Sequence, residues 1–205
     1  PEAVAEMCRD QLAPSGAGPY GLADGWGLGW ARYGDGGDGP VFLGHDGTGD
    51  GTSCHLRFDP VGGTVVALTG KADTGQALWT DLLDRLRESG LPVADHPSTG
   101  AAGLGPTVPG PADCVGRYTN GELEYAVTRD ADGGLRLGLG SAAPHASAPL
   151  YTLECDAGLR FVLRERATGP LGHRGRFLRD HDGRVSHLQL SGRLARRAQE
   201  DPRTP

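Results

Sequence analysis

His45 and Asp46 stand among glycines, in the run Phe42-Leu43-Gly44-His45-Asp46-Gly47-Thr48-Gly49. Histidine changes charge near neutral pH, which makes it the natural proton carrier of a site. Glycine on either side removes the Cβ that would hold a second backbone or a ligand away. Along an extended strand, side chains alternate between faces, so His45 and Gly47 share one face and Asp46 takes the other. Asp50 and His55 follow closely, and a metal site built from His45, Asp46, Asp50 and His55 is conceivable. However, an Asp within a Gly-Asp-Gly turn bonds its own backbone. Asp46, Asp50 and His55 therefore read as structural, and no metal is expected.

The elements that must position these residues read as short strands. Val41, Phe42 and Leu43 open one strand, and Cys54 to Phe58 form the next, with Leu56 and Phe58 on one face and His55 and Arg57 on the other. Asp59-Pro60-Val61-Gly62-Gly63 is a turn. The apolar run Thr64 to Thr69 predicts a strand covered on both faces. Upstream, Gly25 to Tyr33 reads as a single strand with Trp26, Leu28 and Trp30 alternating, after a helical stretch from Glu2 to Leu12. Downstream, a helix is expected from Gly75 to Ser89, capped by Asp73 or Thr74 and ended by Gly90. Leu78, Leu82, Leu83 and Leu86 would form its apolar stripe.

Taken in order, Leu28-Gly29-Trp30, Gly44-His45-Asp46-Gly47, His55-Leu56-Arg57-Phe58-Asp59-Pro60 and Val65-Val66-Ala67-Leu68-Thr69 resemble the C-terminal part of a serine β-lactamase/penicillin-binding-protein-like domain. The resemblance is to the class C and D-aminopeptidase branch and covers about the first ninety residues. It implies that His45-Asp46-Gly47 occupies the place of a Lys-Thr-Gly or His-x-Gly triad on the strand bordering an active site. It further implies that His45 orients a catalytic Tyr or the substrate carboxylate, while a Ser attacks a carbonyl and is acylated. Thr48 would offer its backbone N–H to the oxyanion. Gly47 and Gly49 would open the strand edge to an extended peptide, with Trp30 lining the cleft. Arg193 would receive a substrate carboxylate in its guanidinium fork. No cofactor is implied.

The chain departs from that family in its nucleophile. No Ser-x-x-Lys occurs, since Lys71 is the only lysine, and no Tyr-x-Asn or Ser-x-Asn site element is read here. The expectation is a C-terminal portion of a longer enzyme, whose partners are the missing N-terminal part and a peptide-like acyl substrate. That enzyme would be a D-stereospecific peptidase or esterase, or a peptide-cyclising thioesterase. The alternative is a catalytically dead relative whose second half binds a hydrophobic ligand or a partner protein.

That second half follows a Pro/Gly-rich linker, residues 92–112, which separates residues 1–91 from residues 113–198. Seven or eight short alternating strands, with turns at Asp130-Ala131-Asp132-Gly133-Gly134 and Asp180-His181-Asp182-Gly183, predict a small antiparallel, lipocalin-like barrel. Ser191-Gly192-Arg193 would end its last strand. Arg193, Arg196 and Arg197 would close the barrel as solvated residues, and His173, His181 and His187 would be surface or turn residues. The fold class is α+β. Among the 205 residues, 35 Gly and 15 Pro favour such short strands and turns.

A formal net charge of -6 argues against nucleic acid as a partner, because phosphate binding needs a basic surface. The basic run from Arg160 to Arg197 reads as the solvated face of a barrel. No apolar run reaches membrane-spanning length, about 18 residues. A cytoplasmic location is expected, with secretion open because a leader could precede the chain. Cys8, Cys54, Cys114 and Cys155 lack the close spacing of zinc ligands; they could pair as two disulfides or stand as buried free thiols, and the reduced form is expected.

Overall fold

The computed structural model describes residues 2–12, 16–34, 39–49, 51–71, 75–96, 101, 103–141, 150–165 and 171–199. The chain divides into two compact units, Pro1–His96 and Pro97–Pro205. Among the described residues, no helix is long and apolar enough to cross a membrane.

In the first unit, helix α1 spans Glu2–Cys8, shorter than the helical composition suggested. Asp10 ends it by turning its carboxylate to the backbone N–H groups of Leu12 and Trp26. Gly25 to Tyr33 forms two strands where one was expected. β1 (Gly25–Trp26) and β2 (Ala31–Tyr33) pair across a tight turn closed by Gly27 N–H on Trp30 O. Trp30 therefore lies in the turn and not in a strand. β3 (Phe42–Gly49), β4 (Thr52–Phe58) and β5 (Val65–Gly70) complete an antiparallel sheet in the order β1-β2-β3-β4-β5. β3 and β4 stay in register from Leu43↔Phe58 to Gly49↔Thr52. Gly44 is required there, because a Cβ would stand 1.7 Å from the Leu56 carbonyl oxygen.

The run at β5 is covered on one face only, which corrects the expectation of two. Val66 is 8% exposed and its neighbour Val65 is 66% exposed, because β5 is an edge strand with helix α2 on a single side. Helix α2 spans Gly75–Glu88 and lies against β4 and β5. Its buried residues are Gly75, Trp79 and Leu83, four apart on one stripe, with Leu82 and Leu86 partly buried beside them. Leu78 is 56% exposed and falls off that stripe. The proposed caps Asp73 and Thr74 lie outside the described residues. Gly90, with φ of 90°, ends the helix, and Leu91 N–H reaches back to Leu86 O at 2.9 Å. The segment Leu91–His96 then folds back on the sheet, with Val93 in the same core as Trp79 and Phe42.

The second unit is a closed antiparallel barrel of eight strands. They are β6 (Gly116–Thr119), β7 (Leu123–Arg129), β8 (Leu135–Ser141), β9 (Leu150–Cys155), β10 (Arg160–Arg164), β11 (Leu171–Arg179), β12 (Val185–Leu190) and β13 (Arg193–Arg197). Alternate residues point inward, where Phe177 packs its ring against Tyr118 and Phe161. Three hairpins close in the same way. Asp130, Asp156 and Asp180 each accept, on a carboxylate oxygen, the N–H of the residue four further on.

β13 closes the barrel against β6 through Arg196↔Thr119 and Arg197↔Tyr118. Arg193 begins this strand, since Ser191 and Gly192 form the preceding turn with φ of 47° and 76°. Arg197 is not merely solvated. Its guanidinium donates to the carbonyls of Asp113, Val115 and Val185, filling the gap between β13 and the short turn Ala112–Cys114.

Candidate functional site

β3 carries the candidate residues on two faces and one edge. β2 accompanies it only as far as Gly44, through Ala31↔Gly44, whereas β4 continues to Gly49. From His45 onward the outer edge of β3 has no partner strand among the described residues. Its unpaired backbone groups face outward there.

His45 is exposed on this stretch. Its Nδ1 lies 2.8 Å from the Asp46 carbonyl oxygen, and Trp26 meets its ring edge-on at 5.8 Å. Leu56 and Phe58 share this face, with Trp30 set edge-on to Phe58 at 5.1 Å. Gly47, Thr48 and Gly49 line an open cleft of ≈ 610 Å³ with Thr52, Ser53, Cys54, Thr69, Gly70 and Lys71. At Gly47 a Cβ would come within 2.9 Å of the Cys54 sulfur, so only glycine leaves that thiol its place.

Behind His45 lies a polar cluster that sequence reasoning missed. The alternation along β4 is as expected, and the structure decides which of its two faces is buried. Ser53, His55 and Arg57 are buried under α2, while Leu56 and Phe58 are half exposed. Arg57 is 1% exposed and uses all five N–H donors. Two go to Asp46 at 2.9 Å each, two to Asp95 at 2.6 and 3.1 Å, and the second N–H of Nη1 goes to the Leu56 carbonyl at 2.8 Å. Its guanidinium carbon sits 3.6 Å over the Tyr33 ring.

His55 stacks on Trp79 at 5.1 Å and bonds Asp46 Oδ1 through Nδ1 at 2.9 Å. A carboxylate only accepts, so His55 carries its proton on Nδ1. Burial by itself would raise the Asp46 pKa. The hydrogen bonds and charge of Arg57, with His55 beside it, outweigh that and hold the carboxyl below its ordinary value. Burial also pushes the Tyr33 phenol well above its ordinary range. The available signal was the alternation of Ser53, His55 and Arg57 along one strand, which does not say which face is buried.

The structure thus gathers Gly47, Thr48 and Gly49 in one cleft. His45 and Trp30 lie on the sheet face opposite the buried cluster, and Arg193 lies exposed in the barrel unit. Asp50 falls outside the described residues. His45 and Asp46 point apart, and among the described residues no group of three or more His, Cys, Asp or Glu side chains is placed to hold a metal. One sequence reading needs correction. A Tyr-x-Asn spacing does occur, at Tyr118-Thr119-Asn120. Tyr118 is buried in the barrel core with its hydroxyl on the Cys114 carbonyl, so that element serves packing.

No protein-family model matches the chain. Among curated proteins, penicillin-binding protein 4 of Amycolatopsis lactamdurans is 37% identical over 84 residues, which are 41% of this chain and 22% of that protein. The crystal structure of SurE with D-Leu superposes with a TM-score of 0.72 and 39% identity, over 96% of this chain and 43% of the SurE chain. A second crystal structure of SurE gives the same TM-score and identity over 96% of this chain and 42% of that one. The chain therefore spans less than half the length of each of these relatives.

Proposed function

From a chain that has the C-terminal architecture of penicillin-binding-protein and β-lactamase-like proteins, followed by an eight-stranded barrel, we propose a part in serine acyl transfer on peptide-like substrates. The observation that carries this reading is the edge of β3 left open from His45 to Gly49 beside a cleft. An extended acyl peptide can add to such an edge through main-chain hydrogen bonds. Thr48 then offers its N–H to the oxyanion, and exposed His45 orients the proton-transferring group or the substrate carboxylate. Trp30, edge-on to Phe58 on the same sheet face as His45, borders the substrate.

The nucleophile and its base come from the partner portion, which the half-exposed face of Trp26, His45, Leu56 and Phe58 is suited to meet. Whether water or an amine accepts the acyl group separates a D-stereospecific peptidase or esterase from a peptide-cyclising thioesterase. The rings of Tyr118, Phe161 and Phe177 packed inside the barrel lend no support to a ligand-storing role for it.

His45→Ala in the intact protein tests the reading. Turnover of a peptidyl thioester is expected to fall roughly 10²–10³-fold, the usual loss for one well-placed transition-state contact. The melting temperature should barely change, because His45 is exposed. His181→Ala, in an exposed hairpin, is the control. Near-normal turnover in His45→Ala would leave this histidine without a role in the chemistry.

A further inference from the structure

We propose that Asp95, acting through Arg57, is a positioning residue for the open edge of β3, and that the segment after α2 is a working part of the site. The claim rests on the acyl-transfer reading above for its kinetic consequence, though not for its structural one. Asp46 lies between His45 and Gly47, so whatever holds its side chain also holds the backbone that presents both neighbours. Its carboxylate is gripped on both oxygens by Arg57, at 2.9 Å each, and on Oδ1 by His55.

Arg57 is in turn held along its adjacent Nε/Nη2 edge by Asp95 Oδ1, at 3.1 and 2.6 Å. Arg57 and His55 have side chains only 1% exposed, and those of Asp46 and Asp95 are 25% and 17% exposed. Charge-assisted bonds in such surroundings are short, directional and poorly screened by solvent. Among the described residues β2 pairs with β3 only as far as Gly44, so beyond it this edge has no ladder on that side. Asp95 is itself fixed by its neighbours in sequence. Val93 is buried in the sheet core, and the His96 imidazole bonds Asp24 at 2.9 Å. The line of contacts therefore runs from Leu91–His96 through Arg57 to Asp46 and on to His45 and Gly47.

Removing the Asp95 charge leaves Arg57 with a single carboxylate and frees it to swing, which loosens its grip on Asp46. The test is hydrogen exchange at His45–Gly49 in Asp95→Asn, read beside turnover of a peptidyl thioester in the intact protein. Exchange at this edge is expected to quicken about tenfold relative to β5 and α2, the scale of one charged hydrogen bond. In the same variant kcat should fall while KM moves little. His96→Ala slackens the same segment from outside the cluster and should give a smaller change in the same direction, and it serves if Asp95→Asn does not fold. Unchanged exchange at His45–Gly49 in the variant that folds would overturn the proposal. So would faster exchange spread evenly over β3, β4, β5 and α2. If the edge loosens as expected but the wild-type protein shows no acyl transfer, the clamp stands and the functional reading falls.

Discussion

Cysteine reactivity at single residues follows from burial. Cys54 is exposed in the cleft beside Gly47, while Cys114 and Cys155 lie in the barrel core. Burial, with the Asp113 carboxylate adding to it, pushes the Cys114 thiol up to about 11. Burial likewise pushes Cys155 up to about 12. A raised pKa leaves less thiolate at any pH below it, and the thiolate is the species that reacts. With iodoacetamide at pH 8, mass spectrometry should find Cys54 alkylated in the native protein and Cys114 and Cys155 untouched until denaturant is added. Labelling of Cys155 at the rate of Cys54 would mean that the barrel opens far more readily than its packing implies.

Among the elements, α2 decides how the sheet is covered. Trp79 is 0% exposed, stacks on His55 and packs with Leu83 and Val66, whereas Leu78 on the neighbouring face is 56% exposed. Trp79→Ala should destabilise the sheet unit by about 3–5 kcal/mol, the range for truncating a large core aromatic. Leu78→Ala should stay within about 0.5 kcal/mol, as for other surface changes. Urea denaturation of both variants measures this directly, and comparable losses would place the helix in a different rotation about its axis. Trp79 also explains why β4 can bury His55 and Arg57. Its ring stacks on one, and its neighbour Tyr33 lies under the other, so two polar side chains are covered by aromatic faces.

At the scale of the whole molecule, each unit has its own core, and the proline- and glycine-rich stretch joining them has few apolar residues to bury. Segments of that kind are where proteases cut first. Limited proteolysis is expected to yield a fragment ending shortly after His96 and a second containing the intact barrel. Leu91–His96 should stay with the sheet unit, because Val93, Asp95 and His96 are all engaged there. An early cut within Leu91–His96 would count against both that attachment and the role given to Asp95.

By itself the sequence determined those features that depend on local chemistry. The Asp-Gly hairpin turns at Asp130 and Asp180, the glycine-stopped helix over Gly75–Glu88 and the alternating strands of an α+β chain are properties of a few neighbouring residues each. The Gly44-His45-Asp46-Gly47 strand is legible in the same way, whereas the need for glycine at position 44 comes from the Leu56 carbonyl on the next strand. Which face of a strand is buried is a different kind of question. Alternation along β4 separates Ser53, His55 and Arg57 from Leu56 and Phe58 but carries no sign. Helix α2 and two distant carboxylates supplied that sign, by offering the polar side enough partners to be buried. The same holds for Asp95, 38 residues from Arg57 along the chain. In the sequence it sits among prolines at the start of a linker, and only tertiary folding brings its charge to the guanidinium behind His45.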